Sequence, residues 1–425
     1  MKNIEKKILI ISHNPLSRVN NNGKTLVSLF DGVPKENIYQ IFLNNDIPDY
    51  TECCQYLQLN EMQILHSIFG RNNVCCQEIE PNPDKVSSAS VKIGTFAING
   101  KRLLRECIWK LPCWKAKLKK WLLGKSFDVV FFMAGDGLFA YDVYRFVMDN
   151  ISGKGCLFFT DDYVIGKASF SPLANLRRYL LKRKIKITLP NVKDLFVISD
   201  EMRHAYKEIF SMDSYVIRNF SVERKNFDSE NEISTYDNSL NITYAGGLHY
   251  NRWKVLSLIA ENLKKINELS ENKCFLNIYS SQKLSNEIID SINVEGASYF
   301  CGAASASQIA EIYSKADILL HVESFEKKTI ASTKYSFSTK IPEYLSAEKC
   351  VVAVGPSEVA SIQYLSKFAC VIDNKENISG ILEKLIKDKE YRESIKLNCR
   401  KYYEKDFSKI KQNECLEHIL FDRSF

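Results

Sequence analysis

Short apolar runs alternate with amphipathic, helix-like segments along the chain. Each run is bounded by polar or turn-forming residues, which is the pattern of buried β-strands. Strands that alternate with helices predict parallel sheets joined by right-handed crossovers. We predict two series of strands, the first at residues 7–12, 38–43, 127–133, 156–160 and 194–198, and the second at residues 241–244, 274–279, 317–322, 350–354 and 369–372.

A polar stretch at residues 221–241, SVERKNFDSENEISTYDNSLN, separates the two series of predicted strands. Its charged and turn-forming residues are typical of a linker between domains. A chain of 425 residues is also longer than one hydrophobic core usually supports. We therefore predict an α/β protein with two doubly wound, Rossmann-like domains, at residues 1–222 and 223–395.

In doubly wound sheets, ligands bind beyond the carboxyl ends of the strands. Polar and glycine-rich segments follow predicted strands in both series, and a central cleft between the two domains would gather them. The candidate ligand contacts in these segments are Gly23, Asp136, Asp161, Asp162, Gly246, Gly247, Arg252, Lys254 and Glu323.

The segment NNNGKT raises the question whether Gly23 and Lys24 belong to a nucleotide-binding P-loop. The P-loop pattern G-x-x-x-x-G-K-[ST] needs a glycine five residues before Gly23, but Arg18 stands there. A triphosphate would therefore lack much of its backbone cradle. Gly23 instead either opens a helix whose N-terminus attracts another phosphate, or is only a turn before that helix.

The segment SFSTKIPEYLSAEKC contains a second candidate phosphate site. Ser338, Thr339 and Lys340 precede a predicted helix, so hydroxyls, backbone N–H groups and an ammonium meet at its positive end, as a diphosphate requires. Glu343 follows in the first turn, where its carboxylate could accept hydrogen bonds from a ribose diol. The alternative is that Thr339 caps the helix and Glu343 only complements the helix dipole.

The segment YAGGLHYNRWK adds cations beyond another predicted strand. Gly246 and Gly247 would let a ligand approach the backbone, while Arg252 and Lys254 would stabilise charge on a departing nucleoside diphosphate. A metal-dependent site would be expected to present a D-x-D motif to the diphosphate, whereas the adjacent aspartates of this chain lie in the other domain. We therefore expect no metal and no further cofactor.

This order of elements resembles glycosyltransferases of the GT-B fold and is most similar to family 4, the retaining nucleotide-sugar transferases. The resemblance covers nearly the whole chain, and DILLHVESF and SFSTKIPEYLSAEKCVVAVGPSEVASIQYL resemble bacterial enzymes of capsule, O-antigen and exopolysaccharide assembly. It implies transfer of a sugar, with retention, from a nucleoside-diphosphate sugar to a lipid-linked saccharide acceptor. It also implies that residues 396–425 form a C-terminal helix that packs back on the first domain.

The resemblance assigns roles to residues of the second domain. Glu343 matches the second glutamate of the family's E-x7-E motif, which holds the donor ribose. Ser338, Thr339 and Lys340 match the segment that lies against the diphosphate, and Arg252 matches the cation after the Gly-Gly turn.

The chain departs from the family pattern at two positions. Tyr335 stands where the first glutamate of the motif is expected, so Glu323 would have to take that catalytic role from a longer loop at residues 324–336. The usual Lys-Gly pair reads Trp253-Lys254, which would shift Lys254 away from the phosphates.

The resemblance also bears on the first domain. Gly23 matches the loop glycine that lets the donor phosphate and sugar approach. Asp161 stands near the position where many relatives place a histidine beside the reacting sugar, so Asp161 or Asp162 could orient the acceptor hydroxyl or stabilise an oxocarbenium ion. The alternative is that the two aspartates cap the segment that follows them.

The N-terminal sequence and the lengths of the apolar stretches indicate the cellular compartment. The N-terminus MKNIEKK and the short apolar run after it do not form a signal peptide, and no apolar stretch is long enough to span a bilayer. We expect a cytoplasmic protein that can lie on the inner face of the cell membrane. The 13 cysteines are therefore interpreted as free thiols, without a spacing that suggests zinc.

The net charge of +7 is concentrated in two basic segments. Residues 101–125 hold three of the four tryptophans, and residues 175–187 repeat the mixture of basic and apolar side chains. Such segments can lie on an anionic membrane surface. The alternative is that their apolar side chains pack on their own domain. Because the basic residues are interleaved with Leu, Ile and Trp, we expect no nucleic acid partner.

Two other functions are compatible with these residues. A nucleotide-sugar epimerase could share the fold, but it would need neither a membrane nor an acceptor, and the basic segments argue against it. A non-catalytic, membrane-associated scaffold of a polysaccharide assembly complex would bind no nucleotide. Arg252, Lys340 and Glu343 argue against the scaffold, whereas Tyr335 keeps it open.

Overall fold

The computed structural model describes residues 5–18, 21–68, 76–82, 102, 104–166, 171–220 and 239–421. The chain divides into two compact units, Met1–Ile217 with Gln412–Phe425, and Arg218–Lys411. Most of the predicted linker, residues 221–238, lies outside the described residues, as do residues 101 and 103 of the tryptophan-rich segment.

The first unit is built on a mostly parallel sheet. The described residues form the strands β1 (Ile8–Ser12), β2 (Ile38–Phe42), β3 (Gln55–Gln58), β4 (Gln77–Glu78), β5 (Val129–Ala134), β6 (Lys154–Phe159), β7 (Asp194–Val197) and β8 (Tyr215–Val216). They lie in the order β4-β3-β2-β1-β5-β6-β7-β8, with β3 and β4 antiparallel. The order reverses between β1 and β5, so the loops after these strands meet at the topological switch point.

Helices cover this sheet and contribute the rest of the core. They are Asn21–Phe30, Glu61–Ile68, Cys113–Leu122, Leu138–Met148, Pro172–Thr188 and Asp200–Phe210. The last helix of the chain, Lys409–Phe421, joins them from residue Gln412 onward. Two hydrogen bonds connect this helix to the rest of the first unit. The side-chain amide of Gln412 donates to the carbonyl of Ser28, and the carbonyl of His418 accepts from Lys154 Nζ at 2.9 Å.

The second unit is a parallel doubly wound sheet. Its described strands are β9 (Leu240–Ala245), β10 (Cys274–Tyr279), β11 (Ser298–Gly302), β12 (Ile318–Val322), β13 (Cys350–Val354) and β14 (Cys370–Ile372), in the order β11-β10-β9-β12-β13-β14. Its helices are Arg252–Leu269, Asn286–Ile292, Ala306–Lys315, Lys327–Thr333, Lys340–Ser346, Ala360–Leu365, Ile378–Lys387 and Lys389–Asp406. The order reverses between β9 and β12, which is the switch point of this sheet.

The two sheets confirm the predicted fold class. Each predicted strand is present, with ends that differ by at most two residues. The pattern missed β3, β4, β8 and β11, which are short or alternately exposed and so lack an unbroken apolar run. The boundary between the two compact units lies between Ile217 and Arg218. Residues 396–411 belong to the second unit.

The tryptophans of the basic segment at residues 101–125 belong to the core of the first unit. Trp109, Trp114 and Trp121 are 4%, 1% and 8% exposed. Trp109 stacks on Phe139 with ring centroids 4.5 Å apart, and Trp121 Nε1 donates to Glu78 Oε1 at 3.0 Å. The tryptophans therefore agree with the alternative interpretation, in which the apolar side chains of this segment pack on their own domain. Among the helices of the described residues, none is long and apolar enough to cross a membrane.

Candidate functional site

A buried ion pair occupies the switch point of the second sheet. Arg252 is the first residue of the helix after β9, and Glu323 follows β12 directly. Arg252 Nη2 lies 2.9 Å from Glu323 Oε1 and 3.0 Å from Oε2, and its Nε donates to Oε2 at 3.3 Å. The side chains are 16% and 3% exposed. This bidentate geometry holds the guanidinium in one orientation.

His321 extends the ion pair into the sheet. Its Nε2 lies 3.3 Å from Glu323 Oε1, and its side chain is buried. Burial alone would raise the pKa of Glu323, but the adjacent His321 and the charge of Arg252 outweigh it and hold that pKa below its ordinary value. Burial would lower the pKa of Arg252, yet Glu323 raises it, so both groups stay ionised at neutral pH.

An unusual turn places Arg252 at the start of its helix. Tyr250 and Asn251 have φ angles of 59° and 58°, in the left-handed region that Asn tolerates and that costs energy for an aromatic residue. Asn251 Nδ2 donates to Glu326 Oε2 at 2.7 Å, and Lys254 Nζ lies 2.6 Å from Glu326 Oε1. Lys254 therefore pairs with Glu326 at the surface, separately from the Arg252 and Glu323 pair.

The two glycines after β9 are packed by their own neighbours. The Tyr244 hydroxyl donates to the Gly247 carbonyl at 2.7 Å, and Gly246 N donates to the Tyr279 carbonyl at 3.0 Å. A Cβ atom at Gly246 would lie 2.9 Å from the Tyr244 hydroxyl oxygen, and one at Gly247 would collide with the ring of His249. The buried Tyr244 thus favours a small residue at position 246, whereas the exposed His249 ring could move away from a side chain at position 247.

The segment with Glu343 lies next to the end of β9. Glu343 Oε2 accepts hydrogen bonds from Lys340 Nζ at 3.0 Å and from the Tyr313 hydroxyl at 3.4 Å. The hydroxyl of the neighbouring Tyr344 lies 3.3 Å from the backbone nitrogen of Ala245, the last residue of β9. The fold therefore brings together the two segments that the sequence identified separately.

The helix that carries Glu343 begins without a side-chain cap. Thr339 is its N-terminal flanking residue, and the Thr339 hydroxyl makes no capping hydrogen bond. Instead, the backbone nitrogen of Lys340 donates to the Ser338 hydroxyl at 3.3 Å, and Ser338 N donates to the Ser361 hydroxyl at 3.0 Å. The side chain of Thr339 therefore does not cap this helix, in contrast to the alternative interpretation. Residues 324–336, which the sequence suggested as a long loop, include the helix Lys327–Thr333.

In the first unit, Gly23 lies inside the helix Asn21–Phe30 and does not precede it. A Cβ atom at Gly23 would lie 2.6 Å from the backbone nitrogen of Ser17 and 2.8 Å from the carbonyl oxygen of Pro15. The glycine thus lets the loop after β1 pack against the helix. Lys24, the next residue, has an exposed side chain.

We expect Gly23→Ala to lower the free energy of unfolding by about 1–3 kcal/mol, since backbone atoms must move to admit the methyl group. Gly380→Ala is the matched control, because Gly380 lies in the helix Ile378–Lys387 with no atom within 4 Å of an added Cβ. That control should raise stability by about 0.5–1 kcal/mol. Urea unfolding measures both changes. A Gly23→Ala variant with wild-type stability and lost ligand binding would contradict the packing role.

Asp162 is engaged by the loop that follows it. Its Oδ1 accepts from the backbone nitrogens of Val164 and Ile165, both at 2.9 Å, and its Oδ2 accepts from that of Gly166 at 3.0 Å. Asp161 Oδ1 accepts from the backbone nitrogen of Asp162 at 3.0 Å. These contacts match the capping alternative for Asp162, whose Oδ1 also accepts from the Tyr206 hydroxyl at 3.2 Å.

Sequence reasoning identified Asp136 but did not connect it with Arg177 and His13 at the switch point of the first sheet. Asp136 Oδ2 accepts from Arg177 Nη1 at 3.0 Å, and the Asp136 carbonyl accepts from Arg177 Nη2 at 2.6 Å. His13, just after β1, has an exposed face, yet desolvation by the surrounding protein and the charge of Arg105 lower its pKa to about 4, against the opposing effect of Asp136. The sequence signal was the position of His13 and Asp136 after neighbouring strands.

Within the part of the chain that the structure describes, no three His, Cys, Asp or Glu side chains are grouped so that they could hold a metal ion. The charged groups of both switch points are paired with side chains of the chain itself.

Two doubly wound sheets with these strand orders define the GT-B architecture, and solved structures share it. The structure described as "Trehalose-6-phosphate from E. coli bound with UDP-2-fluoro glucose" matches with a TM-score of 0.64 and 10% identity, over 98% of this chain and 99% of that chain. HepE from Anabaena, in complex with UDP, matches at 0.58 and 11% identity, over 98% and 100%. A Rickettsia africae glycosyltransferase matches at 0.56 and 13% identity, over 99% and 100%.

These likenesses establish the fold, and at such identities they establish the fold alone. No protein-family model matches the sequence, and no curated protein matches it either.

Proposed function

We propose that this chain is a glycosyltransferase that moves a sugar from a nucleoside-diphosphate sugar to a saccharide acceptor. The observation that carries the proposal is the preorganised Arg252 guanidinium at the switch point of the second sheet. Negative charge builds on a diphosphate as its bond to the sugar breaks, and a fixed cation stabilises that charge without reorganising. Arg252 Nη1, which lies 3.3 Å from His249 Nε2, retains donor capacity for such a phosphate.

Glu343 supports the same donor. Its carboxylate lies in the first turn of a helix beside the end of β9, where a ribose diol attached to the diphosphate would lie. Lys340 and Tyr313 hold the carboxylate in place, and Ser338 and Thr339 add hydroxyls to the segment. We propose that Glu343 binds the ribose and that Ser338, Thr339 and Lys340 lie against the diphosphate.

The finer assignment follows the sequence resemblance to family 4. We propose transfer with retention, in which the acceptor attacks from the face of the leaving group and the departing phosphate accepts the acceptor proton. The acceptor is proposed to be a lipid-linked saccharide of capsule, O-antigen or exopolysaccharide synthesis. Asp161 is the candidate for orienting it, since Asp162 is engaged by its own loop.

We propose a different role for Glu323 from the catalytic one that the sequence suggested. Its side chain is 3% exposed and its oxygens face Arg252 and His321. A carboxylate so placed is suited to positioning Arg252 and poorly suited to contacting a sugar. We therefore propose that Glu323 acts through Arg252, and that side-chain cations, with no metal, stabilise the leaving group.

The first test is a thermal-unfolding panel with UDP, GDP, ADP, dTDP and CMP, each with and without Mg²⁺. A nucleotide at about one hundred times its dissociation constant should stabilise the protein by roughly 2.7 kcal/mol. UDP is the first candidate, because structures that share this fold contain UDP or a UDP-sugar. We expect one nucleotide to raise Tm without Mg²⁺, and the corresponding nucleoside, which lacks the phosphates, to raise it far less.

Each other outcome of the panel contradicts a part of the proposal. If no nucleotide raises Tm, the donor site is absent and the scaffold interpretation is favoured. If stabilisation requires Mg²⁺, the donor site depends on a metal. An epimerase would convert the nucleotide sugar without any acceptor, so NMR of the donor incubated with the protein alone separates that reaction from transfer.

A further inference from the structure

The helix Pro172–Thr188 packs on the first unit through one face. Leu181, Ile185 and Thr188 are at most 2% exposed on that face. Lys184 Nζ, on the same side, donates to both carboxylate oxygens of Asp142, at 2.7 and 2.9 Å. These contacts anchor the second half of the helix, and Arg177 Nη1 anchors the first half through Asp136 Oδ2 at 3.0 Å, so the opposite face has a defined orientation.

The opposite face of this helix exposes large apolar side chains. Leu173, Leu176, Tyr179 and Ile187 are 40%, 49%, 63% and 44% exposed. Leu176, Tyr179, Arg183 and Ile187 are spaced three to four residues apart, so they form one stripe along the helix. An exposed apolar stripe of this kind indicates an interaction surface.

The exposed stripe is bordered by positive charge. The helix contains six basic residues and no acidic residue. Arg178, Lys182, Arg183 and Lys186 form no ion pair with any residue in the part of the chain that the structure describes. The surface therefore combines apolar side chains with cations that form no ion pair among the described residues.

An open groove lies at the end of the helix. Its volume is about 480 Å³, and it is lined by Lys186, Leu189, Pro190, Phe210 and Met212, among others. Most of these side chains are apolar, and Lys186 stands at the groove beside the exposed Ile187. The groove thus adds apolar side chains near the last turn of the helix.

We propose that this face, the exposed stripe of the helix Pro172–Thr188 with its flanking cations, docks the protein on an anionic lipid surface. Apolar side chains would enter the boundary between headgroups and acyl chains while the basic residues contact the headgroups. A second copy is a poorer occupant, because two such faces would bring like charges together. Nucleic acid is also poorer, because it would leave Leu176, Tyr179 and Ile187 uncovered.

Of the two basic segments, only the one with the helix Pro172–Thr188 is proposed to contact the membrane. The tryptophans at residues 101–125 are buried, so they are not available to a bilayer, whereas the helix Pro172–Thr188 is exposed. The docking does not depend on sugar transfer, although a lipid-linked acceptor would lie at the same surface.

Sedimentation with vesicles of equal parts phosphatidylglycerol and phosphatidylcholine tests the proposal. Each basic residue near an anionic surface contributes about fivefold to partitioning. The double variant R183E/K186E should therefore bind these vesicles at least about twenty-five-fold more weakly than the wild type. Vesicles of phosphatidylcholine alone should bind the wild type weakly. L176S/Y179S removes apolar area without changing charge and should also weaken binding about tenfold or more.

K264E/K265E is the matched control, because it changes net charge by the same amount on exposed lysines of another helix. We expect this control to keep most of its vesicle binding. Equal loss in the control, or no binding by the wild type, would overturn the proposal. A wild-type dimer that becomes monomeric in L176S/Y179S, measured by light scattering, would assign the face to a second copy instead. Stabilisation by nucleotide is measured separately, so failure of docking and failure of the donor site are distinguishable.

Discussion

Replacing Arg252 with methionine should lower kcat/KM for sugar transfer by about 10²–10³-fold, the cost expected for removing one preorganised group that stabilises charge in the transition state. The same substitution leaves Glu323 buried without its partner. Breaking a buried ion pair from one side costs about 3–5 kcal/mol of stability. Transfer kinetics and urea unfolding, measured on the same preparation, report the two effects.

Two further variants separate the role of Arg252 in folding from its role in transfer. R252M/E323M removes both charges, so it should recover most of the lost stability while transfer stays low. Lys254→Met removes the cation of the surface pair with Glu326, which should cost at most about 1 kcal/mol. Wild-type transfer in R252M/E323M would contradict the proposed role of Arg252.

Glu343→Ala should abolish detectable transfer and leave the fold intact. A hydrogen bond to a charged group contributes about 1.5–3 kcal/mol, so loss of two such bonds to a ribose diol weakens donor binding by about 10²-fold or more. The pair of Glu343 with Lys340 is one-third exposed, so its loss should change stability by less than about 1 kcal/mol. Wild-type activity in this variant would refute the donor-site assignment.

A comparison of ribose with deoxyribose nucleotides tests the contact of Glu343 directly. The wild type should bind the ribonucleotide more tightly than its 2′-deoxy form, measured by calorimetry. Glu343→Ala should bind the two forms about equally, because the group that distinguishes them is gone. Glu326→Ala is the control, since Glu326 pairs with Asn251 and Lys254 away from this contact, and it should keep the preference. An unchanged preference in Glu343→Ala would place the ribose elsewhere.

The candidate donor site was partly predictable from the sequence. Arg252 and Glu343 were identified because each follows a strand or opens a helix, and such positions can be recognised from local patterns. The ion pair of Glu323 with Arg252 could not be predicted in the same way. Its carboxylate contacts Arg252, which is 71 residues away, and His321. The contact with Arg252 forms only because β9 and β12 are neighbours in the sheet.

In the first unit, too, the sequence identified residues whose contacts only the fold revealed. Gly23 was recognised as unusual, but its close neighbour is the chain's own loop at Ser17 and Pro15. Asp161 and Asp162 are indistinguishable in sequence, and the structure separates them, because three backbone donors of the following loop contact Asp162.

The sequence by itself determined the two series of strands and the doubly wound class, because the period of apolar residues reflects local backbone geometry. It also determined that phosphate-binding residue types follow several strands. Only the tertiary structure decided which basic segment is exposed. Trp109 and Trp121 are covered by Phe139 and Glu78, which are distant in the chain, whereas Tyr179 is 63% exposed. Burial is a property of contacts between distant residues, and a local pattern cannot specify it.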